Sequence, residues 1–389
     1  MPEQNARIEQ ADILFTDEQG QLMEIAQSFS ANKSPIASVR QQMTADGSIE
    51  RDLWAEIAAL GWLGVAIPEE YGGSGLGLGE VVSIVEPMGR NLFSSPLIAT
   101  TLAAQVILAV GDDDQKSQWL PQLAGGSIAA LALSEAHGDW DLSNLTCTAT
   151  VDGDSLRLGG GKTFVTDAGL ADLFVLSVAM DGAPALLLVE ASDLPDGALR
   201  REVVIDETRR SYGLNLDGLS VPRANLLTGG DASACLKSLH LATCLLYAAE
   251  MCGGTAGVIN VTLEYLTTRR QFDHFIGAYQ ALKHPMVDAL TGLDAARSHL
   301  YHAATIFEFG TDRSGQGGHG SRDEVAVRMA KAQAADAFAF ASDRAIQFHG
   351  AFGFTYECDA QLFRRRALWC EQQHGDSQHH RKHLAGLLL

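Results

Sequence analysis

The sequence predicts an α+β protein in three parts: an N-terminal α-helical domain, a middle antiparallel β domain and a C-terminal four-helix bundle. Three observations carry this. Apolar residues recur at three- and four-residue steps in the first third, as on one face of a helix. From about residue 128 the runs become short and are separated by Gly and Asp turn signals, as in successive strands. After Gly229-Gly230 the helical period returns and persists to the end. A chain of 389 residues has room for two or three packed units.

The first domain is read as residues 1–127. Leu53, Ile57, Leu60 and Leu63 give one apolar stripe, and Val81, Val82, Ile84 and Val85 open another helix. Between them, Ile67 to Gly77 is rich in Gly and carries a Pro, the punctuation of a loop. The middle domain is read as 128–230. Ala129 to Leu133, Cys147 to Val151, Leu173 to Val178 and Ala185 to Val189 are its strands, with turns at Asp152 to Asp154, Gly159 to Gly161 and Met180 to Gly182. The strands are expected to be antiparallel, because the spacing leaves no room for crossover helices. The last domain, 231–389, holds helices at Cys235 to Arg269, Ala278 to Phe309, Glu324 to Gln347 and Leu362 to Gln373, long enough for a bundle. The low-complexity stretch Gly310 to Gly320 reads as a flexible link between two of them.

Composition narrows the function. Apolar types make up 46% of the chain and charged types 20%, enough to bury a large core. Asp plus Glu is 48 against 28 for Lys plus Arg, a formal charge of −20 that repels phosphate backbones and anionic lipid surfaces. No nucleic-acid or membrane partner is therefore expected. The six cysteines are scattered with no CxxC pair and read as free thiols in a reducing compartment. Met1 to Gln10 is polar and lacks the basic start and apolar run of a secretory signal. Apolar stretches such as Leu97 to Val110 fall short of the roughly 18 residues a membrane span needs. A cytoplasmic location follows by elimination.

Common catalytic and cofactor motifs fail one by one. Gly159 to Thr163 resembles the tail of a Walker loop, but Leu156 stands where that loop needs its first Gly, and a hairpin turn is the better reading. The Gly72 to Gly79 cluster fits GxGxxG in no register and completes no esterase elbow. His379, His380 and His383 include the i, i+4 spacing of a helical metal pair. No metalloprotease pattern accompanies them, so a solvated terminal helix without metal is expected.

What remains is a set of phrases in order: Leu133 to Asp141, Gly161 to Thr166, Tyr265 to Phe272, Gln280 to His284 and Gln347 to Phe354. Together, over the whole chain, they resemble the FAD-dependent acyl-CoA dehydrogenase family. The resemblance implies the fold just read, a tetramer with FAD held between subunits, and a place in β-oxidation-type lipid metabolism. It implies oxidation of an acyl-CoA thioester, with a carboxylate removing the Cα proton while hydride leaves Cβ for flavin N5. Electron-transferring flavoprotein is the implied acceptor. Ser134 and Thr166 match the family's hydroxyls beside the flavin, and Phe164 matches the aromatic packed on its ring. Arg269 and Phe272 match the pair extended to a neighbouring subunit's dinucleotide, Gln280 the Gln that follows, and Gln347 with Gly350 the QxxG turn. These types suit the task, since a guanidinium forks onto a diphosphate and glycine admits close backbone approach.

The departures concern the base. The family's two known carboxylate positions fall at His374 and Thr243, and neither is an acid. Trp140, Cys244, Asp273 and Ala351 depart from the pattern as well: Ser, Arg, Gly and Gly are usual there. Three readings stay open. Glu250, Glu371 or His374 could be the base, Glu250 lying seven residues past Thr243 on the same helix face. The chain could be one subunit of a heterotetramer, since Gly375 to His379 looks like the closing phrase of bacterial members that pair unlike subunits on bulky or steroid substrates. Or it could keep the fold for binding CoA or a partner without redox chemistry.

Overall fold

The computed structural model describes residues 17–45, 49–310 and 322–389. The N-terminal segment Met1 to Gln10 and all but the first residue of the glycine-rich link lie outside the described residues. Six helices come first: α1 (Asp17–Lys33), α2 (Ile36–Gln42), α3 (Arg51–Ala59), α4 (Leu78–Arg90), α5 (Leu97–Val110) and α6 (Asp113–Ala124). The predicted stripe holds in part: Ile57 of α3 and Leu63 beyond it are buried, Leu53 is half-buried and Leu60 is exposed, while Trp54, outside the stripe, is buried. α6 begins on a capping box, with Asp112 accepting from the Gln115 amide and Gln115 reaching back to the Asp112 amide.

Strands β1 (Ala129–Ala132), β2 (Thr148–Asp152), β3 (Ser155–Gly159), β4 (Gly161–Thr166), β5 (Leu173–Met180), β6 (Ala183–Glu190), β7 (Leu199–Glu202), β8 (Ser211–Asn215) and β9 (Ser220–Pro222) form the middle domain. One sheet runs β1-β5-β2-β3-β9 with β6 beside β5, and a smaller one runs β4-β8-β7. The expected turns close the β2–β3 and β5–β6 hairpins, but the hairpin expected at Gly159 to Thr163 is corrected: there the chain passes from one sheet to the other, β3 pairing with β2 and β9 and β4 with β8. The all-antiparallel expectation is corrected: β1 pairs with β5 in parallel, Ala129 opposite Leu173, and β2 meets β5 in parallel at Thr148. Lack of room for helices excludes only helical crossovers. Here β2, β3, β4 and their loops carry the chain back, and a connection of more than a dozen residues suffices for a parallel return.

The C-terminal region holds α7 (Ala232–Thr268), the short hairpin β10 (Arg270–Gln271) and β11 (His274–Phe275), then α8 (Gln280–Ile306), α9 (Arg322–His349), α10 (Ala360–Gln372) and α11 (Ser377–Leu388). α9 packs on α7, α8, α10 and α11, so α11 joins the bundle rather than lying in solvent. α7 is long and apolar enough to cross a membrane by length and composition, contrary to the sequence reading. Its apolar window is wholly buried inside the bundle, which accounts for that composition. The predicted free thiols are all buried and unpaired by disulfides.

α4 crosses α7 at backbone contact. A Cβ on Gly253 would stand 1.8 Å from the Glu86 carbonyl oxygen, and one on Gly89 2.2 Å from that of Glu250, so only glycine permits the approach. At this crossing lies a buried charged hub. The Arg366 guanidinium of α10, wholly buried, pairs with Asp206 and with Glu250 of α7 at 2.6 Å, and donates to the Thr208 and Ser94 hydroxyls at 2.6 and 2.9 Å. Arg209 pairs with the same Glu250 carboxylate. Removing one partner of such a cluster leaves an uncompensated buried charge. Arg366→Met is therefore expected to destabilise the protein by about 3–5 kcal/mol, read as a lower urea midpoint for its main unfolding transition.

Candidate active site

The loop that follows β1 is held by a buried ion pair. Glu135 accepts from the Lys162 ammonium at 2.8 Å, from the Thr146 amide at 2.7 Å and from the Cys147 amide at 3.1 Å. Burial pushes the Glu135 carboxyl up, but Lys162 and Thr146 outweigh it and bring it down to about 2. Lys162 also donates to the Leu133 carbonyl and the Ser177 hydroxyl. This lysine belonged to the failed Walker reading; its role is to tie β4 to the start of the loop, next to Ser134. Across the opening, the Trp140 indole N–H donates to the Gln372 carbonyl at 3.0 Å and its edge meets the His379 ring at 4.9 Å. The loop is thereby fastened to the end of α10.

Within β4 the ladder to β8 shifts register between Lys162 and Val165. Phe164 sits in this irregularity with φ of +54°, its amide donating to Glu202 at 3.0 Å and its ring 49% exposed. Without the bulge the ring could not turn to this side of the sheet. Asp167 just beyond β4 and His374 just beyond α10 share the left-handed conformation, at +60° and +57°. Non-glycine residues held there concentrate at functional sites, because the surroundings must over-determine them. For His374 the enforcing group is Lys331. Fully buried, it donates to the carbonyls of Cys370, Glu371 and Gly375 at 3.2, 3.1 and 2.8 Å, satisfying the end of α10 and fixing the corner.

Two connected cavities result. The outer one, of about 450 Å³, is walled by Ser134, Trp140, Phe164, Val203 to Ile205, Trp369 and His374 among others. The inner one, of about 60 Å³, is lined by Ser134, Phe164, Thr166, Asp167, Arg209, Thr243, Tyr247 and His374 with apolar neighbours. Ser134, Phe164, Gln373 and His374 line both. The His374 Nδ1 is buried without a partner, as is the Trp369 indole nitrogen, whose ring lies 6.4 Å from that of Phe164. Burial, then the nearby Lys331 ammonium, lower the His374 imidazole to about 4, so it is neutral with a lone pair available at physiological pH.

Set against the sequence reading, the structure brings Ser134, Phe164, Thr166 and His374 to one cavity. Glu250 does not line either of these cavities; it is the anion of the charged hub, between Arg209 and Arg366. Glu371, half-buried on α10, lines neither; burial raises its carboxyl above the ordinary value. Arg269, Phe272, Gln280, Gln347 and Gly350 are all exposed and line neither cavity, Phe272 at 85%. Phe272 and Asp273 form the two-residue turn of the β10–β11 hairpin, both left-handed, a geometry that normally takes glycine at the second position. The sequence reading passed over Asp167, Tyr247 and Trp369. Asp167 adjoins a residue it named, but only the left-handed turn after β4 carries its side chain to the cavity.

The fit of a flavin can be judged on these walls. An outer cavity of a size suited to a cofactor ring presents an exposed aromatic face, a short hydroxyl at its junction with the inner cavity and a buried indole N–H that lacks an acceptor. These residues fit the group. The N-terminal domain model of acyl-CoA dehydrogenases matches residues 16–127 and the C-terminal domain model residues 242–389. Acyl-CoA dehydrogenase FadE12 of Mycobacterium tuberculosis is 30% identical over 318 residues, 79% of each chain. The chain belongs to the acyl-CoA dehydrogenase family. It is an oxidoreductase of that family, with the family's helical, β and helical layout. The (2S)-methylsuccinyl-CoA dehydrogenase of Cereibacter sphaeroides is 28% identical over 344 residues, covering 82% of this chain and 61% of that one. Among solved structures, the Tcur3481–Tcur3483 steroid ACAD matches with a TM-score of 0.82 at 27% identity, over 95% of this chain and 97% of its own.

Because Glu135 is held below its unfolded value, its stabilisation is complete above pH about 4.5 and fades as the pH falls towards about 2. Acid unfolding followed by circular dichroism is expected to be steep across that window. Glu135→Gln should be less stable at neutral pH and show a shallower slope there.

Proposed function

We propose that this chain catalyses the FAD-dependent α,β-dehydrogenation of an acyl-CoA thioester, with His374 as the proton acceptor. The observation that supports this reading is the shared cavity in which Ser134, Phe164 and Thr166 stand opposite His374. Ser134, Thr166 and Phe164 would hold the flavin ring, and bound FAD would supply the two-electron oxidant for Cβ. The residues then divide the remaining work. His374, neutral and half-buried with its Nδ1 shielded from solvent, takes the Cα proton on that nitrogen. Lys331 holds the corner that aims the ring, and desolvation followed by the Lys331 charge keeps the imidazole unprotonated at neutral pH. Trp140, bonded to Gln372, walls the outer cavity on the side where the thioester's arm would enter.

A second reading of the base rests on Asp167, the carboxylate among the residues of the inner cavity. It differs in outcome. With His374 as base, flavin reduction by a panel of acyl-CoAs is lost by about 10²–10⁴-fold in His374→Ala and kept in Asp167→Asn. The wild-type rate is flat from pH 6 upwards and falls as the pH drops towards 4, because protonated imidazole has no lone pair. A fully active His374→Ala removes this assignment, and loss confined to Asp167→Asn moves the role to the aspartate.

The assembly we propose is an oligomer in which a homologous subunit, a second copy or an unlike sister chain, completes each flavin site. Arg269, Phe272, Gln280, Gln347 and Gly350 are exposed on this chain, as residues meant for a neighbour's dinucleotide must be. Electron-transferring flavoprotein is the proposed acceptor. Protein purified alone should be yellow and elute as a tetramer if copies suffice. If it is colourless and gains flavin only when co-expressed with a sister subunit, the sister chain is required. A protein that binds no flavin in either preparation would instead support a CoA- or partner-binding role without redox chemistry.

A further inference from the structure

One buried cluster takes no part in the proposed reaction. His240 and Cys244 lie one turn apart on α7, and His380 of α11 packs against them; all three are buried. One donor atom from each falls within 4.8 Å of the others, with Cys244 Sγ and His380 Nε2 3.8 Å apart. Of the three histidines singled out in sequence, His380 belongs to it, whereas the i, i+4 pair His379 and His383 does not. Their rings meet each other at 4.3 Å on the outer side of α11.

We propose that His240, Cys244 and His380 bind a zinc ion. Three features support it. The i, i+4 spacing puts two donors on one helix face, the geometry by which a helix offers paired ligands to one metal. Two imidazoles and a thiol form a borderline-soft donor set of the kind zinc prefers over magnesium or calcium. In a tetrahedral site with Zn–S of about 2.3 Å and Zn–N of about 2.0–2.1 Å, the ligand atoms stand about 3.5 Å apart. The cluster therefore needs to contract by about an ångström, within reach of side-chain rotation. Three protein ligands leave one position open. The His374 ring, whose Nδ1 is buried without a partner, lies 5.5 Å from that of His240.

The charges around the cluster set the terms of binding. Arg328 stands over the far side of His380, Nη1 to Nδ1 at 3.4 Å, while its own Nε is paired with Glu324 at 2.8 Å. The Lys331 ammonium is close by, bonded to the Gly375 carbonyl. Ligation through Nε2 leaves Nδ1 protonated, so Arg328 must withdraw towards Glu324. The thiolate formed at Cys244 offsets one of the two charges of the ion; its proton leaves to solvent. Arg328 therefore opposes binding, and removing its charge should favour it.

The test is a zinc titration of chelator-treated full-length protein, alongside X-ray absorption at the zinc edge of the zinc-loaded wild type. One zinc per chain with a single sulfur ligand at about 2.3 Å is expected. Affinity should fall at least tenfold in Cys244→Ser, rise severalfold in Arg328→Gln and stay unchanged in the His379→Ala, His383→Ala double variant. The absorption measurement needs no variant, so a misfolded Cys244→Ser leaves the proposal testable. Absence of stoichiometric zinc, a zinc shell without sulfur, or binding lost only in the double variant would overturn it. None of these readouts depends on flavin or on turnover, so failure here is separable from failure of the catalytic reading.

Discussion

The Arg366 guanidinium is the interaction on which the rest of the structure depends. It is buried, and it reaches all three domains at once: Ser94 from the first, Asp206 and Thr208 from the second, Glu250 from the third. A charge of this kind is tolerated only when fully paired and hydrogen-bonded. With Arg209 the hub holds two cations and two carboxylates, one of each from the middle domain and one of each from the C-terminal bundle, paired across the boundary as well as within it. The domains are thus fixed to one another by directional bonds rather than by apolar contact alone, and α10, which carries Arg366, has a defined origin from which its far end is placed.

That far end is where the site is made. α10 runs from the hub to a corner that Lys331 holds by three carbonyls, and the corner puts His374 in a backbone conformation its side chain disfavours. On the opposite wall, a register shift in β4 puts Phe164 in the same unusual region. The bond from Trp140 to Gln372 joins the two walls. Strain at Phe164, Asp167 and His374 is offset by strong, buried contacts nearby, which is the arrangement expected where a cavity must keep its shape without a ligand.

Two of the departures from the pattern that the resemblance implies meet at this corner. The resemblance implies an acid and an arginine where this chain has His374 and Cys244, and the Cys244 thiol sits 3.6 Å from the His374 carbonyl. His240 and His380 close the group from α7 and α11. Glu250, attractive by helical spacing to Thr243, is occupied by the hub instead.

The sequence by itself determined the order of helical, β and helical parts, because hydrophobic period is a local property that survives in any packing. It determined membership of the family through Ser134, Phe164, Thr166 and the bundle phrases, and it marked His374 as the site of departure. Tertiary structure decided what spacing along the chain cannot encode. The parallel pairing of β1 with β5 depends on how intervening strands return. The burial of α7 depends on the helices around it, although its composition would also suit a membrane. The engagement of Glu250 with two guanidiniums depends on residues more than a hundred positions apart in the case of Arg366. The meeting of His240 and Cys244 with His380, rather than of His380 with its neighbours in sequence, depends on how α11 docks on the bundle. Each is a long-range contact whose energy exists only once the chain has packed.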